Sequence, residues 1–184
     1  ADEGQTSLIF FNTLVAPAAA LLGWIVVESF KEGKATAVGA ASGIVTGLVA
    51  ITPACAFLTP VWALVLGLVS GAICAFAVDI KFKLGFDDTL DVVGIHLVAG
   101  FIGCLWVGIF GAEALTGGSL VFGGASTLFL AQLLSSLTVI AFSFVVSYVF
   151  AFAIEKTIGF RAKEEDEVAG IDLALHGAGY SELN

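Results

Sequence analysis

Charge is what this sequence has least of. Of its 184 residues only 12% are Asp, Glu, Lys or Arg, against about 25% in an ordinary soluble domain. A globular surface this poor in charge would not stay in solution, so the membrane is the class that remains. Basic residues are scarcest, seven against sixteen acidic ones, and no basic patch of the kind nucleic acid requires can be built from them. The three cysteines, Cys55, Cys74 and Cys104, lie inside apolar runs with no CxxC pair. That supports neither a zinc site nor a disulfide framework and reads as small packing residues. Methionine is absent altogether, and the chain opens Ala-Asp-Glu-Gly. This is neither a signal peptide nor an ordinary start, so a truncated or processed N-terminus is expected.

What is there is a series of long apolar runs. A spanning helix needs roughly 20 apolar residues, and five stretches qualify, at about 8–30, 35–58, 61–80, 91–111 and 127–154. The expected organisation is an all-α polytopic bundle, with a membrane domain over 1–156 and a polar tail over 157–184. With five spans, the first and third connections and the tail share one side of the bilayer. The seven basic residues, Lys31, Lys34, Lys81, Lys83, Lys156, Arg161 and Lys163, all fall on that side. The positive-inside rule makes it cytoplasmic.

Glycine recurs every fourth residue at Gly39, Gly43 and Gly47, and again at Gly67 and Gly71. Lipid provides no hydrophobic drive between helices, so smooth small-residue stripes are the usual means of close packing. Thr52-Pro53 interrupts the second run and Thr59-Pro60 precedes the third. Proline removes a backbone donor, so the first pair reads either as a helix end and turn or as non-helical backbone lining a cavity.

One residue asks for a function. His96 lies in the fourth run between Val92-Val-Gly-Ile95 and Leu97-Val-Ala99. An ionisable group inside a span normally faces a bundle interior or a pathway. A neutral imidazole donates one hydrogen bond and accepts one, so a structural histidine and a pathway histidine are both open. Regular helical spacing places Val92, His96 and Gly103 on one face with Gly100 close by. Such a lining, apolar and broken by one imidazole, suits a small, nearly neutral permeant better than a hydrated ion. Asp87, Asp88 and Asp91 crowd the start of the same helix, where capping and the helix dipole account for them. No second His or Lys stands within the spans as a base for the serines there, and no midspan Asp pair occurs. Neither an enzyme, a cofactor nor a metal site is expected.

Four motifs carry a resemblance. Asp87-Asp-Thr-Leu-Asp-Val-Val-Gly-Ile-His96, continuing to Gly100-Phe-Ile-Gly103, resembles the ammonium transporter (Amt/Mep/Rh) family around its second pore histidine. Gly47-Leu-Val-Ala-Ile-Thr-Pro-Ala-Cys55 is similar to that family's Thr-Pro-Ala segment, and Leu22-Gly-Trp24 with a short basic loop also matches. The tail, Glu167-Val-Ala-Gly-Ile-Asp-Leu-Ala-Leu-His176-Gly177 with Tyr180, resembles the family's cytoplasmic C-terminal motif. The motifs stand in family order over essentially the whole chain. Leu97, where the family often has Gly, and Ala178 in the tail depart from the pattern.

The resemblance implies half of an eleven-helix inverted-repeat fold, approximately helices seven to eleven, with the first repeat and its partner histidine missing. It implies transport of ammonium/ammonia through a narrow hydrophobic pore, with His96 and Val92 as pore residues and His96 assisting deprotonation and proton relay. It also implies a homotrimer in the plasma membrane. Its regulatory tail would carry Gly170, Asp172, His176, Gly177 and Tyr180 and present them to a PII-type protein at the cytoplasmic face. An ammonium sensor of the same fold and an Rh-type gas channel are the alternatives.

Overall fold

The computed structural model describes residues 3–124, 126–159, 161–171 and 174. All the regular structure among them is helical, with one isolated bridge between Ser119 and Gly123. The chain divides into two units, Ala1–Leu137 and Thr138–Asn184, with the long last helix running across the division.

In the first unit α1 (Glu3–Glu32) is the central element, and α2 (Ala37–Ile51) and α3 (Pro60–Ala77) pack against it. The glycines explain how closely. A Cβ on Gly43 or Gly47 would run into Leu21, Ala20 and Pro17 of α1, and one on Gly67 or Gly71 into the carbonyls of Ala16 and Ala20. In return Gly23 of α1 lies against the backbone of Leu68 and Ala72. Ala16 and Ala20 are fully buried where these surfaces meet. The contact is therefore backbone on backbone, held by dispersion between close-packed atoms. Pro17 sits within α1 without ending it.

The second apolar run is helical only to Ile51. Thr52 to Leu58 fold as successive turns, with N–H groups of Ala54, Phe57 and Leu58 bonded to carbonyls three or four residues back. Pro53 lacks the donor needed to continue the helix. Asn12, fully buried on α1, donates through Nδ2 to the Cys55 carbonyl and the Leu58 carbonyl, both at 2.9 Å. The amide thus supplies a donor to the buried Leu58 carbonyl and to the part-buried Cys55 carbonyl, both on non-helical backbone.

A short α4 (Ile80–Leu84) follows α3 and ends at Gly85 in the left-handed conformation. A π-helical turn, Val93–Leu97, then leads directly into α5 (Val98–Phe110), which packs on α2 and α3. At the far end of α5 the Leu120 and Val121 N–H groups donate to the Gly108 and Ile109 carbonyls, satisfying the helix terminus. Trp62 stacks on Phe110 there, ring centroids 4.0 Å apart, with Trp106 edge-on at 6.4 Å. A one-turn helix α6 (Glu113–Thr116) lies in the intervening loop.

The last helix, α7 (Ser126–Thr157), is apolar on every side and has no buried residue. A helix of that kind belongs in lipid or against another apolar surface. In the second unit Phe144, Tyr148 and Phe152 stack along it at four-residue spacing, and the Lys156 ammonium lies over the Phe152 ring. A short α8 (Glu164–Ala169) comes after it.

By length and composition Gly4–Glu32, Pro60–Leu84, Val93–Phe110 and Ser126–Thr157 are each able to cross a membrane. The Ala37–Ile51 helix is apolar but shorter, reaching about 22 Å at 1.5 Å per residue. The molecule is an integral membrane helical bundle.

Candidate functional site

The approach to His96 is built from polar atoms. Gly85, with φ +69°, lets the chain leave α4, and Asp91, with φ +57°, occupies the left-handed region that L side chains rarely adopt. Asp88 accepts from the Val92 N–H through Oδ1 at 2.8 Å and from the Val93 N–H through Oδ2 at 2.9 Å. One carboxylate thus satisfies two donors that the start of a helix leaves free. Asp91 receives the Lys81 ammonium at 2.6 Å, and the same ammonium donates to the Asp88 carbonyl at 2.9 Å. The Asp87 carboxylate accepts from the Thr89 hydroxyl at 3.2 Å.

Beyond this entry the backbone widens. The Val98 N–H bonds to the Val93 carbonyl five residues back, the mark of a π turn. Gly94 and Ile95 turn inward. A Cβ on Gly94 would strike the Val78 backbone, and Ile95 is 4% exposed. Val92, Val93, His96 and Leu97 turn the other way and remain exposed on the open side of the helix.

Gly100 continues that open side, with the Val49 side chain its nearest neighbour. Gly103 does not join it. It is buried, and a Cβ there would meet the Ala50 carbonyl and the Pro53 ring. Regular 3.6-residue spacing groups Gly103 with Val92 and His96, whereas the π turn takes up an additional residue and shifts the phase of the helix beyond it. The face carrying His96 stops short of Gly103. Through Gly103 the helix of His96 instead rests on the Thr52-Pro53-Ala54-Cys55 turn, so two of the sequence motifs meet directly. Trp24, 5% exposed, packs beside Gly43 in the same core.

Lys31 makes a second ion pair, with Asp79 at 2.6 Å, and donates to the Ala75 carbonyl at 2.8 Å. Lys31 and Lys81 therefore lie at the same end of α3, the end from which the π turn begins. Near the start of α2, Glu28 accepts from the Thr36 N–H and hydroxyl at 3.0 and 2.7 Å.

In the second unit Arg161 donates to both oxygens of Glu167, at 2.8 and 3.0 Å. This hydrogen bonding, with the guanidinium charge, holds the Glu167 carboxyl below the usual carboxylate range. Gly170 ends α8 with φ +96°. Asp172, His176, Gly177 and Tyr180 lie outside the described residues. Among the described residues no three His, Cys, Asp or Glu side chains come together as a metal site.

Asn12 and Lys81 are not singled out by sequence reasoning. A lone Asn in an apolar run is the available signal for Asn12. Lys81 bears no signal beyond its charge, because its partners Asp88 and Asp91 are fixed by the path of the chain.

Comparison with known proteins identifies this architecture. The sequence pattern of the Ammonium Transporter Family matches residues 1–180. An ammonium transporter of Mycobacterium bovis is 45% identical over 187 aligned residues, covering 97% of this chain and 39% of the relative. The crystal structure of Candida albicans Mep2 superposes with a TM-score of 0.77 at 32% identity, covering 88% of this chain and 38% of that one. A structure described as a sensor Amt protein superposes with a TM-score of 0.82 at 28% identity, covering 93% of this chain and 42% of that one. The chain thus spans about two fifths of the length of each of these proteins. Its relatives are named as transporters, not as enzymes. On sequence and fold together, this chain belongs to the ammonium transporter family.

Proposed function

We propose that these helices form part of a transmembrane path for ammonium, conducted through a narrow apolar pore as ammonia. The observation that carries the reading is the open face of the π turn, where the His96 imidazole stands among Val92, Val93 and Leu97. Removing a cation from water disfavours its charged form. Ammonium entering this lining therefore releases its proton more readily than in solution. A neutral imidazole then offers one acceptor and one donor, enough to bind ammonia and pass a proton to a partner in the complete protein, where the remaining pore wall is supplied by residues outside this chain.

In this reading the bilayer is crossed five times, by α1, by α2 with the Thr52–Leu58 turns, by α3 with α4, by the π turn with α5, and by α7. The seven basic residues then face the cytoplasm with the tail. Lys31 and Lys81, ion-paired at one end of α3, fit that side. The complete protein assembles as a homotrimer in the plasma membrane, and its tail, including Gly170, Asp172, His176, Gly177 and Tyr180, regulates the pore and meets a PII-type protein.

A second reading, an ammonium sensor with the same fold, is favoured by the likeness to the sensor Amt protein. Uptake of isotopically labelled ammonium by vesicles containing the complete protein separates the two. Flux above that of protein-free vesicles is expected. Saturable ammonium binding with no flux would establish the sensor instead.

A further inference from the structure

The Lys81 ammonium occupies a position that its charge alone does not explain. It is on α4, outside the helix of His96, yet it contacts both Asp91 and the Asp88 backbone carbonyl. Its side chain is 15% exposed and that of Asp91 29%, so the pair is largely withdrawn from water, unlike a surface ion pair that contributes little. Asp91 is moreover the one described non-glycine residue with positive φ. A side chain held in that region signals that its surroundings determine the backbone conformation.

These contacts converge on the residues that set the π turn. The Asp91 carbonyl accepts from the Ile95 N–H at 2.8 Å, and its own N–H donates to the Asp88 carbonyl at 3.2 Å. The Asp88 carboxylate holds the next two N–H groups, of Val92 and Val93. Val93 in turn provides the carbonyl that closes the π turn with Val98. Gly94 is pressed on the Val78 backbone, fixing the opposite side. A helix advances about 100° per residue, so a turn that gained or lost one residue would swing His96 away from the face it now shares with Val92.

We infer that Lys81 and Asp91 are a positioning pair. By locking the left-handed turn at Asp91 and the carbonyl of Asp88, they fix the phase of the π turn and so the direction in which His96 points. Neither residue touches the permeant. The inference rests on the pore reading of His96, and its test is arranged so that the two fail separately.

The test uses the complete protein in vesicles, with Lys81→Gln, Lys81→Arg, Asp91→Gly and His96→Ala compared at equal amounts in the membrane. Asp91→Gly is informative because glycine accepts positive φ freely, so the turn still folds while the anchor for Lys81 is gone. The measurements are uptake of labelled ammonium and the ratio of ammonium to methylammonium uptake at saturation. The inference expects Lys81→Gln and Asp91→Gly each to lower ammonium uptake about tenfold and to shift the ratio in the direction seen for His96→Ala. Lys81→Arg, which keeps the charge, should stay within about twofold of the native protein. Should Lys81→Gln not reach the membrane, Asp91→Gly against Lys81→Arg decides alone. A native ratio in Asp91→Gly, with His96→Ala altered, would overturn the positioning pair and leave the pore reading standing. An unaltered His96→Ala would overturn both.

Discussion

The amide of Asn12 holds the carbonyl of Leu58 at 2.9 Å across 46 residues of chain, and with the same nitrogen the carbonyl of Cys55. Asn12 thereby replaces, with one side chain, the hydrogen bonds that the second run loses when its helix stops at Ile51. Non-helical backbone is tolerated within a membrane where protein covers and satisfies it. Ala54 and Leu58, both fully buried, show that one side of this turn is covered, while Thr52 and Phe57 are exposed.

Asn12→Leu is accordingly expected to destabilise the fold. It removes the Asn12 donor from the buried Leu58 carbonyl, a loss worth about 1–3 kcal/mol, and from the part-buried Cys55 carbonyl, where the cost is smaller. Thermal unfolding of the complete protein in detergent measures it. A melting temperature equal to that of the native protein would show that the turn is held by other contacts.

The two glycines of α5 provide a paired prediction. Gly103→Ala places a methyl group against the Ala50 carbonyl and the Pro53 ring, and overpacking of this kind costs about 1–3 kcal/mol. Gly100→Ala meets only the Val49 side chain, at an ordinary 3.8 Å, and should be neutral or slightly stabilising because alanine favours the helix. The same unfolding measurement compares them. Equal effects from the two substitutions would contradict the packing of α5 on the Thr52–Leu58 turns.

These glycines also show what was legible in the sequence. The repeats at Gly39, Gly43 and Gly47 and at Gly67 and Gly71 announce close helix packing, because a four-residue period has a direct geometric meaning. Composition announces the membrane, and the motifs around Thr52 and His96 announce the family. The π turn was not legible. Its mark is the hydrogen bond from the Val98 N–H to the Val93 carbonyl five residues back, and no residue type in Val-Gly-Ile-His-Leu demands that bond. For this reason regular spacing groups Gly103 with His96, although Gly103 is buried on α2. The separate tasks of the three aspartates were hidden likewise. Asp88 caps, Asp91 pairs with Lys81, and Asp87 accepts from Thr89, a division set by the left-handed turn at Asp91.

In the tail, the Arg161 and Glu167 pair predicts a pH dependence. The folded carboxyl of Glu167 titrates below its ordinary value because Arg161 hydrogen-bonds its charged form. A lowered folded value means that the pair supports the tail above the ordinary carboxylate range, and that this support is lost as pH falls through the folded value. Following the Glu167 carboxyl resonance by NMR should give a titration midpoint below that of an unpaired glutamate. The midpoint should rise in Arg161→Gln. A midpoint at or above the unpaired value in the native protein would contradict the pairing.

The imidazole of His96 is the most direct object of test. In vesicles containing the complete protein, His96→Ala should abolish labelled ammonium uptake or change its selectivity against potassium, because the polar group on the open face of the π turn is then gone. Ammonium uptake with native rate and native selectivity after His96→Ala would contradict the account.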